Sequence, residues 1–196
     1  MAPSKKDQIV EAAVRAFAQY GYSDTTMDTI AEVAEVAKGT LYYHFATKEE
    51  LFLYVIEKGV KMLIDSVDSV MQRADLSLDQ RMLCVLDEHL RFFSEHRELC
   101  LLLLSFFTGD QQRDQTIGQL LSGYFTTMEG YVAELQREGH VRPDIEVRTM
   151  ISALFGMAGF TMLRKQFRQE NGVTDTDRRT LHLLLSGVLI ADSPDQ

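Results

Sequence analysis

Residues 38–44, Lys38-Gly39-Thr40-Leu41-Tyr42-Tyr43-His44, gather side chains suited to chemistry on an anionic polymer. On a helical wheel of about 100° per residue, Ala37, Leu41 and Phe45 fall within about 80° of one another and make the apolar side. Gly39 and Tyr43 point away from it, Thr40 and Tyr42 flank them, and Lys38 and His44 lie at the edges. Glycine lets backbone approach a duplex, and Lys reaches guanine acceptors or a phosphate. The Thr methyl can meet a thymine methyl, and Tyr hydroxyls donate to phosphate oxygens. Lys48, at the start of the next helix, can hold a phosphate near backbone amides that favour an anion. An ordinary solvated helix can carry the same residues, so the reading depends on the elements that aim this face.

Those elements read as helices throughout. Ile9, Ala13, Ala16, Phe17 and Tyr20 make one buried stripe, predicting a first helix from about Ser4 to Tyr20 that stops at Gly21. Thr25 and Thr26 can cap a second helix of two turns through Met27, Ile30, Ala31 and Ala34. The third covers roughly Ala37 to His44. Thr47 and Glu50 make a capping box for a fourth, about Lys48 to Arg73, long enough to connect a small head to a larger body. Ser77 and Gln80 make another for a fifth helix ending near His96; a sixth is expected over Arg97 to Phe107 and a seventh over Gln112 to Glu138, closed by Gly139. Asp144 is expected to cap an eighth through Arg168, ended by Asn171 and Gly172, and a ninth runs from about Asp175 to Ala191. Nothing reads as a strand, a fixed-period repeat or a low-complexity segment. The expected fold class is therefore all-α, with about nine helices: an N-terminal three-helix, helix-turn-helix head, residues 1–47, on a larger helical body, residues 48–196.

Composition sets the frame for this arrangement. The 196 residues are 45% hydrophobic and 25% charged, ordinary for a folded soluble protein. The formal charge of −9 argues against a nucleic-acid partner if read as a total, but its distribution does not. Residues 65–196 carry thirteen basic and twenty acidic side chains, against seven and nine in residues 1–64. Between Glu35 and Glu49 there is no acid, while Lys38, His44 and Lys48 fall there. Cys84 and Cys100 are too few and too widely spaced for a disulfide framework or a metal knuckle. No secretory signal opens the chain, and the longest uncharged stretch, Thr149 to Leu163, is too short to cross a bilayer; a cytoplasmic protein with no membrane partner is expected.

Catalytic signatures are missing. A carboxylate-bridged metal bundle needs Glu three residues before His, yet Leu41, Leu86, Phe93, Arg137 and Arg179 precede His44, His89, His96, His140 and His182 by three. No His-Glu-x-x-His, phosphate-cradling glycine loop or Gly-x-Ser-x-Gly occurs. His89 and His96 share a helix face and read as core or surface histidines rather than ligands. No catalytic residue, metal or cofactor is expected, and the protein is read as not an enzyme.

Three segments carry a specific likeness. Thr25-Thr26-Met27-Asp28-Thr29-Ile30-Ala31, then Val36-Ala37-Lys38-Gly39-Thr40-Leu41-Tyr42-Tyr43-His44-Phe45, then Thr47-Lys48-Glu49-Glu50-Leu51, resemble the TetR family of bacterial transcriptional regulators over roughly residues 5–55. The resemblance implies that Thr26, Tyr42, Tyr43, His44 and Lys48 contact the DNA backbone, while Lys38, Gly39 and Thr40 approach base edges. Two positions depart from the family pattern: Glu35 stands where Gly is usual and Ala37 where Ser is frequent. A non-Gly residue at positive φ, or a lost cap, each costs about 1 kcal/mol.

By the same resemblance, the body binds an effector and dimerises, and movement of the fourth helix alters the spacing of two reading heads. Two such heads must sit about 34 to 36 Å apart to read adjacent major grooves of a roughly palindromic operator. Ser152, Ala153, Gly156 and Gly159 permit close helix approach, and Phe155, Leu184, Leu185, Val188 and Leu189 offer apolar area; these are the expected dimer surface, against internal packing as the alternative. Phe92, Phe93, Phe106, Phe107, Tyr124, Met128, Tyr131, Phe160 and Met162 are candidate pocket residues for a small, largely apolar effector, although aromatic residues at helical spacing more often fill cores. The leading expectation is a homodimeric repressor released from its operator by that effector. The alternative, kept open by Glu35 and Ala37, is a small-molecule or protein-binding helical module without specific DNA reading.

Overall fold

The structure, a computed structural model, describes residues 4–104 and 111–189. Among the described residues there are nine helices: α1 (Lys5–Asp24), α2 (Met27–Val33), α3 (Lys38–His44), α4 (Lys48–Met71), α5 (Leu78–Glu95), α6 (Arg97–Leu104), α7 (Gln111–Arg137), α8 (Val147–Phe167) and α9 (Asp175–Ser186). The one extended pairing among them is an isolated antiparallel bridge between Val141 and Leu189. The all-α expectation is met.

Helix ends follow local chemistry, with some departures from the expected boundaries. Gly21 does break α1, at φ +79°, but the chain resumes a helical turn and ends at Asp24. The buried Thr25 closes that turn: its hydroxyl donates to Gly21 O at 2.6 Å and Ala16 O at 3.2 Å. The Ser77–Gln80 capping box of α5 forms in both directions. At α4, Thr47 Oγ1 accepts from Glu50 N, but the Glu50 carboxylate accepts from Ala46 N, one residue earlier than a closed box requires. Asp144 does not cap α8. Arg142 engages it, and Glu146 accepts from Arg148 N and Thr149 N instead. α9 begins with a capping box between Thr174 and Asp177 and ends at Ser186, short of the expected Ala191.

Three helices close with the same pair of bonds, in which the residue after the C-cap lies in the left-handed region. α7 does so with Gly139, whose φ of +86° costs glycine nothing. α8 uses Gln169 and α2 uses Glu35, both at φ +53°. In α2 the bonds are Val36 N to Ala31 O and Glu35 N to Glu32 O, each 3.1 Å. This is the turn that separates α2 from α3. The Asn171 and Gly172 expected to end α8 come after the bend, which Gln169 already makes.

The chain divides into two compact units, Met1–Val60 with Glu98–Leu120, and Lys61–Arg97 with Leu121–Gln196. The first unit's core is built on Ile9, Ala13, Phe17, Ile30, Leu41, Phe45, Leu51, Phe52 and Ile56, all nearly inaccessible. Phe17 packs edge-on to Phe52 at 5.1 Å, and Tyr22 lies 4.8 Å from the same ring. Along α4, Gly59 lies against α6: a Cβ added there would come within 2.4 Å of a Leu99 methyl. In the second unit, α5 packs against both α8 and α9, burying Met82, Val85, Leu86, Leu90, Phe93, Leu154, Leu181 and Leu185.

Candidate nucleic-acid interface

α1 and α2 present α3 outward. Leu41 is fully buried and Phe45 nearly so, so the apolar side of α3 is anchored on the head's core and the opposite side is left to solvent. Tyr43 is 85% exposed and Tyr42 49%, and Gly39 faces open space. The Tyr43 and His44 rings meet edge-on at 5.2 Å. Thr40 is half-buried and Lys38 exposed. α3 has no side-chain cap, because Ala37 has no hydroxyl to offer its free amides. Thr26 caps α2, accepting from Thr29 N at 3.1 Å, and its exposed hydroxyl also pairs with Thr29 Oγ1 at 2.8 Å.

The two lysines are placed differently. Lys38 Nζ lies 2.6 Å from Asp28 Oδ2 on α2, an exposed pair, and that carboxylate raises the Lys38 pKa. Lys48 points inward. Its ammonium donates to Tyr22 O at 2.7 Å, Thr25 O at 2.8 Å and Ser23 O at 3.2 Å, and lies 4.5 Å over the Tyr22 ring. The expected phosphate ligand therefore has its three donor directions on carbonyls at the end of α1. Four flexible bonds let a lysine choose either direction, and nothing local at Lys48 distinguishes them.

In the second unit, two expected pocket residues, Phe93 and Tyr124, converge with Phe155 of the expected dimer surface. Phe93 on α5, Tyr124 on α7 and Phe155 on α8 share one aromatic cluster, with Phe155 5.3 Å from Phe93 and 5.4 Å from Tyr124. His89 and Phe125 join it at 5.7 and 5.2 Å from Tyr124, neither having been among the expected site residues. His89 is fully buried: its Nδ1 lies 2.7 Å from Val85 O, so that nitrogen carries the proton, and Nε2 accepts from the Tyr124 hydroxyl at 2.5 Å. Burial pushes the His89 pKa down to about 4 and that of Tyr124 well above its ordinary value. His89 is thus neutral at pH 7. Of the other expected lining residues, Phe92 packs on His96 at 4.6 Å, Met128 is buried, and Tyr131 donates to Asp68 Oδ1 at 2.7 Å. Met162 is half-buried, while Phe160 stands 65% exposed, outside any lining position. Phe106 and Phe107 lie outside the described residues.

The expected dimer residues also divide. Ser152, Ala153 and Leu184 are exposed; Gly156, Val188 and Leu189 are half-buried. Gly159 and Leu185 are turned into the protomer, and Phe155 is part of the aromatic cluster, because α5 occupies that side of α8 and α9. Exposed apolar area on α8 and α9 comes from Leu184 and, beyond the expected dimer residues, from Phe160, Phe167 and Leu183. The two helices are tied by a charged network: the buried Lys165 ammonium sits 2.7 Å from Asp177, and Arg164 lies 3.5 Å from the same carboxylate. On the α5 side, Asp87 accepts from Arg178 and His182, each at 3.0 Å.

A tri-helical head whose third helix is exposed, followed by a larger helical body, is the arrangement of a helix-turn-helix DNA-binding protein. Residues 9–55 match the model for bacterial regulatory proteins of the tetR family, and residues 56–164 match the C-terminal region of YsiA-like proteins. The chain belongs to the TetR family of bacterial transcriptional regulators. It is 24% identical over 184 residues to the fatty acid metabolism regulator protein of Bacillus subtilis, covering 92% of this chain and 94% of that one. Its head is 37% identical over 60 residues to IcaR of Staphylococcus epidermidis, a negative regulator of the biofilm operon icaADBC, covering 31% of this chain and 32% of that one. Among solved structures, a Clostridium perfringens protein described as a fatty acid metabolism regulator superposes with a TM-score of 0.84 at 26% identity, over 93% of this chain and 99% of that one. The FadR regulator of Bacillus subtilis in complex with stearoyl-CoA superposes with a TM-score of 0.79 at 23% identity, over 93% and 98% of the two chains. Among the described residues no helix is long and apolar enough to cross a membrane.

Proposed function

We propose that this regulator is a homodimeric, cytoplasmic repressor that reads a roughly palindromic operator through α3 and is released by a long-chain acyl effector, without enzymatic activity of its own. The observation that carries the reading is the outer face of α3, where Gly39, Tyr42 and Tyr43 face solvent beside a half-buried Thr40 while Leu41 and Phe45 anchor the helix from behind. In this reading residues 1–47 are the reading head, with Lys38, Gly39 and Thr40 at base edges and Thr26, Tyr42, Tyr43 and His44 on the backbone. Lys48 braces the end of α1 through the Tyr22, Ser23 and Thr25 carbonyls. Residues 48–196 are the effector and dimerisation body, in which a second copy covers Ser152, Phe160, Phe167, Leu183 and Leu184.

The described interior of that body is apolar, which favours an apolar effector. Among the described residues the buried polar side chains are Thr25, His89 and Lys165; His89 is neutral at pH 7 and Lys165 is committed to Asp177. Neither offers a free charge to a ligand, so the enclosed part of the effector is hydrocarbon. Relatives named for fatty acid metabolism, one of them solved with stearoyl-CoA, make an acyl thioester the class to try first.

The test is selection of bound duplexes from a random library, followed by competition against nonspecific DNA at moderate salt and titration with stearoyl-CoA, coenzyme A and stearate. The expected result is an enriched palindrome whose binding is lost with the thioester but not with coenzyme A alone. Folded, dimeric protein that enriches no sequence would point to the module without DNA reading.

A further inference from the structure

We infer that Asp28 is a specificity-determining residue of the reading head: it holds the Lys38 ammonium away from phosphate until a matched base edge displaces it. The inference rests on the DNA-reading role proposed for α3. Lys38 is the first residue of α3, the end of a recognition helix that meets base edges. Its ammonium sits 2.6 Å from Asp28 Oδ2, on the first turn of α2, with side-chain exposures of 62% and 53%. Glu32, one turn further along α2, adds its field to that of Asp28 at Lys38. The one cation at the leading edge of α3 therefore faces two carboxylates on the neighbouring helix, and its charge is already matched within the head.

Magnitude decides what can displace the carboxylate. An exposed ion pair is worth at most about fivefold in an equilibrium constant. A single contact to a DNA phosphate is a pairing of the same kind, and exchanging one for the other gains little. A lysine on the guanine O6 and N7 acceptors discriminates by roughly tenfold or more, enough to take the ammonium from Asp28. On random duplex, where the exchange gains little, Lys38 stays with Asp28 for much of the time and neutralises a phosphate only in part. On the correct duplex it transfers. Asp28 thus lowers nonspecific affinity more than specific affinity, which is the quantity that matters when competing sites are in vast excess.

The test compares wild type, Asp28→Asn, Lys38→Met and the double variant on two probes, a duplex enriched by the wild-type protein and a random duplex of the same length, across a salt series. Asp28→Asn leaves the Thr26 cap of α2 in place, and circular dichroism checks that each variant is folded. The expected result for Asp28→Asn is tighter binding of random duplex by up to about fivefold, with a log–log salt slope steeper by up to about 0.9, and a smaller gain on the enriched duplex. Both changes must vanish in the Lys38→Met background. An unchanged ratio of specific to nonspecific affinity overturns the inference. So does a gain that persists without Lys38, since Asp28 would then act by simple repulsion of the backbone. A wild-type protein with no sequence preference removes the DNA-reading role and this inference with it, whereas a discriminating wild type matched by an equally discriminating Asp28→Asn removes the inference alone.

Discussion

The Lys48 ammonium donates to the Tyr22 carbonyl at 2.7 Å and lies 4.5 Å above the Tyr22 ring, tying the first residue of α4 to the end of α1. With Ser23 and Thr25 also as acceptors, one side chain caps the C-terminal turn of α1 where the macrodipole is negative. The helix that leaves the head is thereby fixed to the helix that braces it.

Lys48→Met is expected to destabilise the head by on the order of 1–2 kcal/mol, through loss of charge-assisted bonds to carbonyls that are part-buried. Thermal unfolding reads that loss, and the salt slope on random duplex should stay as it is in wild type. A slope flatter by about one unit, with unchanged stability, would place the charge on a phosphate instead.

Glu35 occupies the left-handed position of the turn between α2 and α3 at φ +53°, where a Cβ is strained. Glu35→Gly should raise stability by about 1 kcal/mol, partly offset by the greater freedom of glycine in the unfolded chain. Gln169→Gly, at the same φ after α8, should behave likewise. Urea denaturation that finds either variant less stable than wild type would contradict the strain.

Gly59 allows α4 to meet Leu99 closely. In Gly59→Ala, overpacking against the Leu99 methyls outweighs the gain in helix propensity, and the expected net loss is about 1 kcal/mol. In a Leu99→Ala background the clash is gone, so the same substitution should become stabilising. The sign of that double-mutant cycle is the measurement; the same sign in both backgrounds would show that Leu99 gives way freely.

Acid should weaken the fold in two separate windows. His89 has its pKa lowered from 6.5 to about 4, so between those values the unfolded chain binds the proton the folded one refuses. Stability from its burial is intact above pH 6.5 and is lost as pH falls through about 4, a change on the order of 3 kcal/mol. Asp177, held down to about 2 chiefly by Lys165, contributes above its ordinary 3.8 and loses that contribution as pH falls through about 2. His89→Gln should abolish the first window and leave the second. A His89→Gln profile identical to wild type between pH 6.5 and 4 would assign the acid sensitivity elsewhere.

Much of this protein is legible in its amino-acid order, because local energies dominate where helices begin, end and turn their apolar faces. The Ser77–Gln80 box and the Gly139 stop rest on interactions within about five residues, the Leu41 and Phe45 anchor of α3 follows from the apolar period of its helix, and all stand where spacing puts them. The outward Gly39 and Tyr43 follow from the same periodicity. Tertiary structure decided what long or ambivalent side chains do. Lys48 turns to carbonyls more than twenty residues away, Lys38 to Asp28 on another helix, and Phe155, Gly159 and Leu185 into the protomer. A lysine can swing between phosphate and carbonyl, and an apolar face can meet its own chain or a second copy. The choice depends on which partner the folded chain brings within reach.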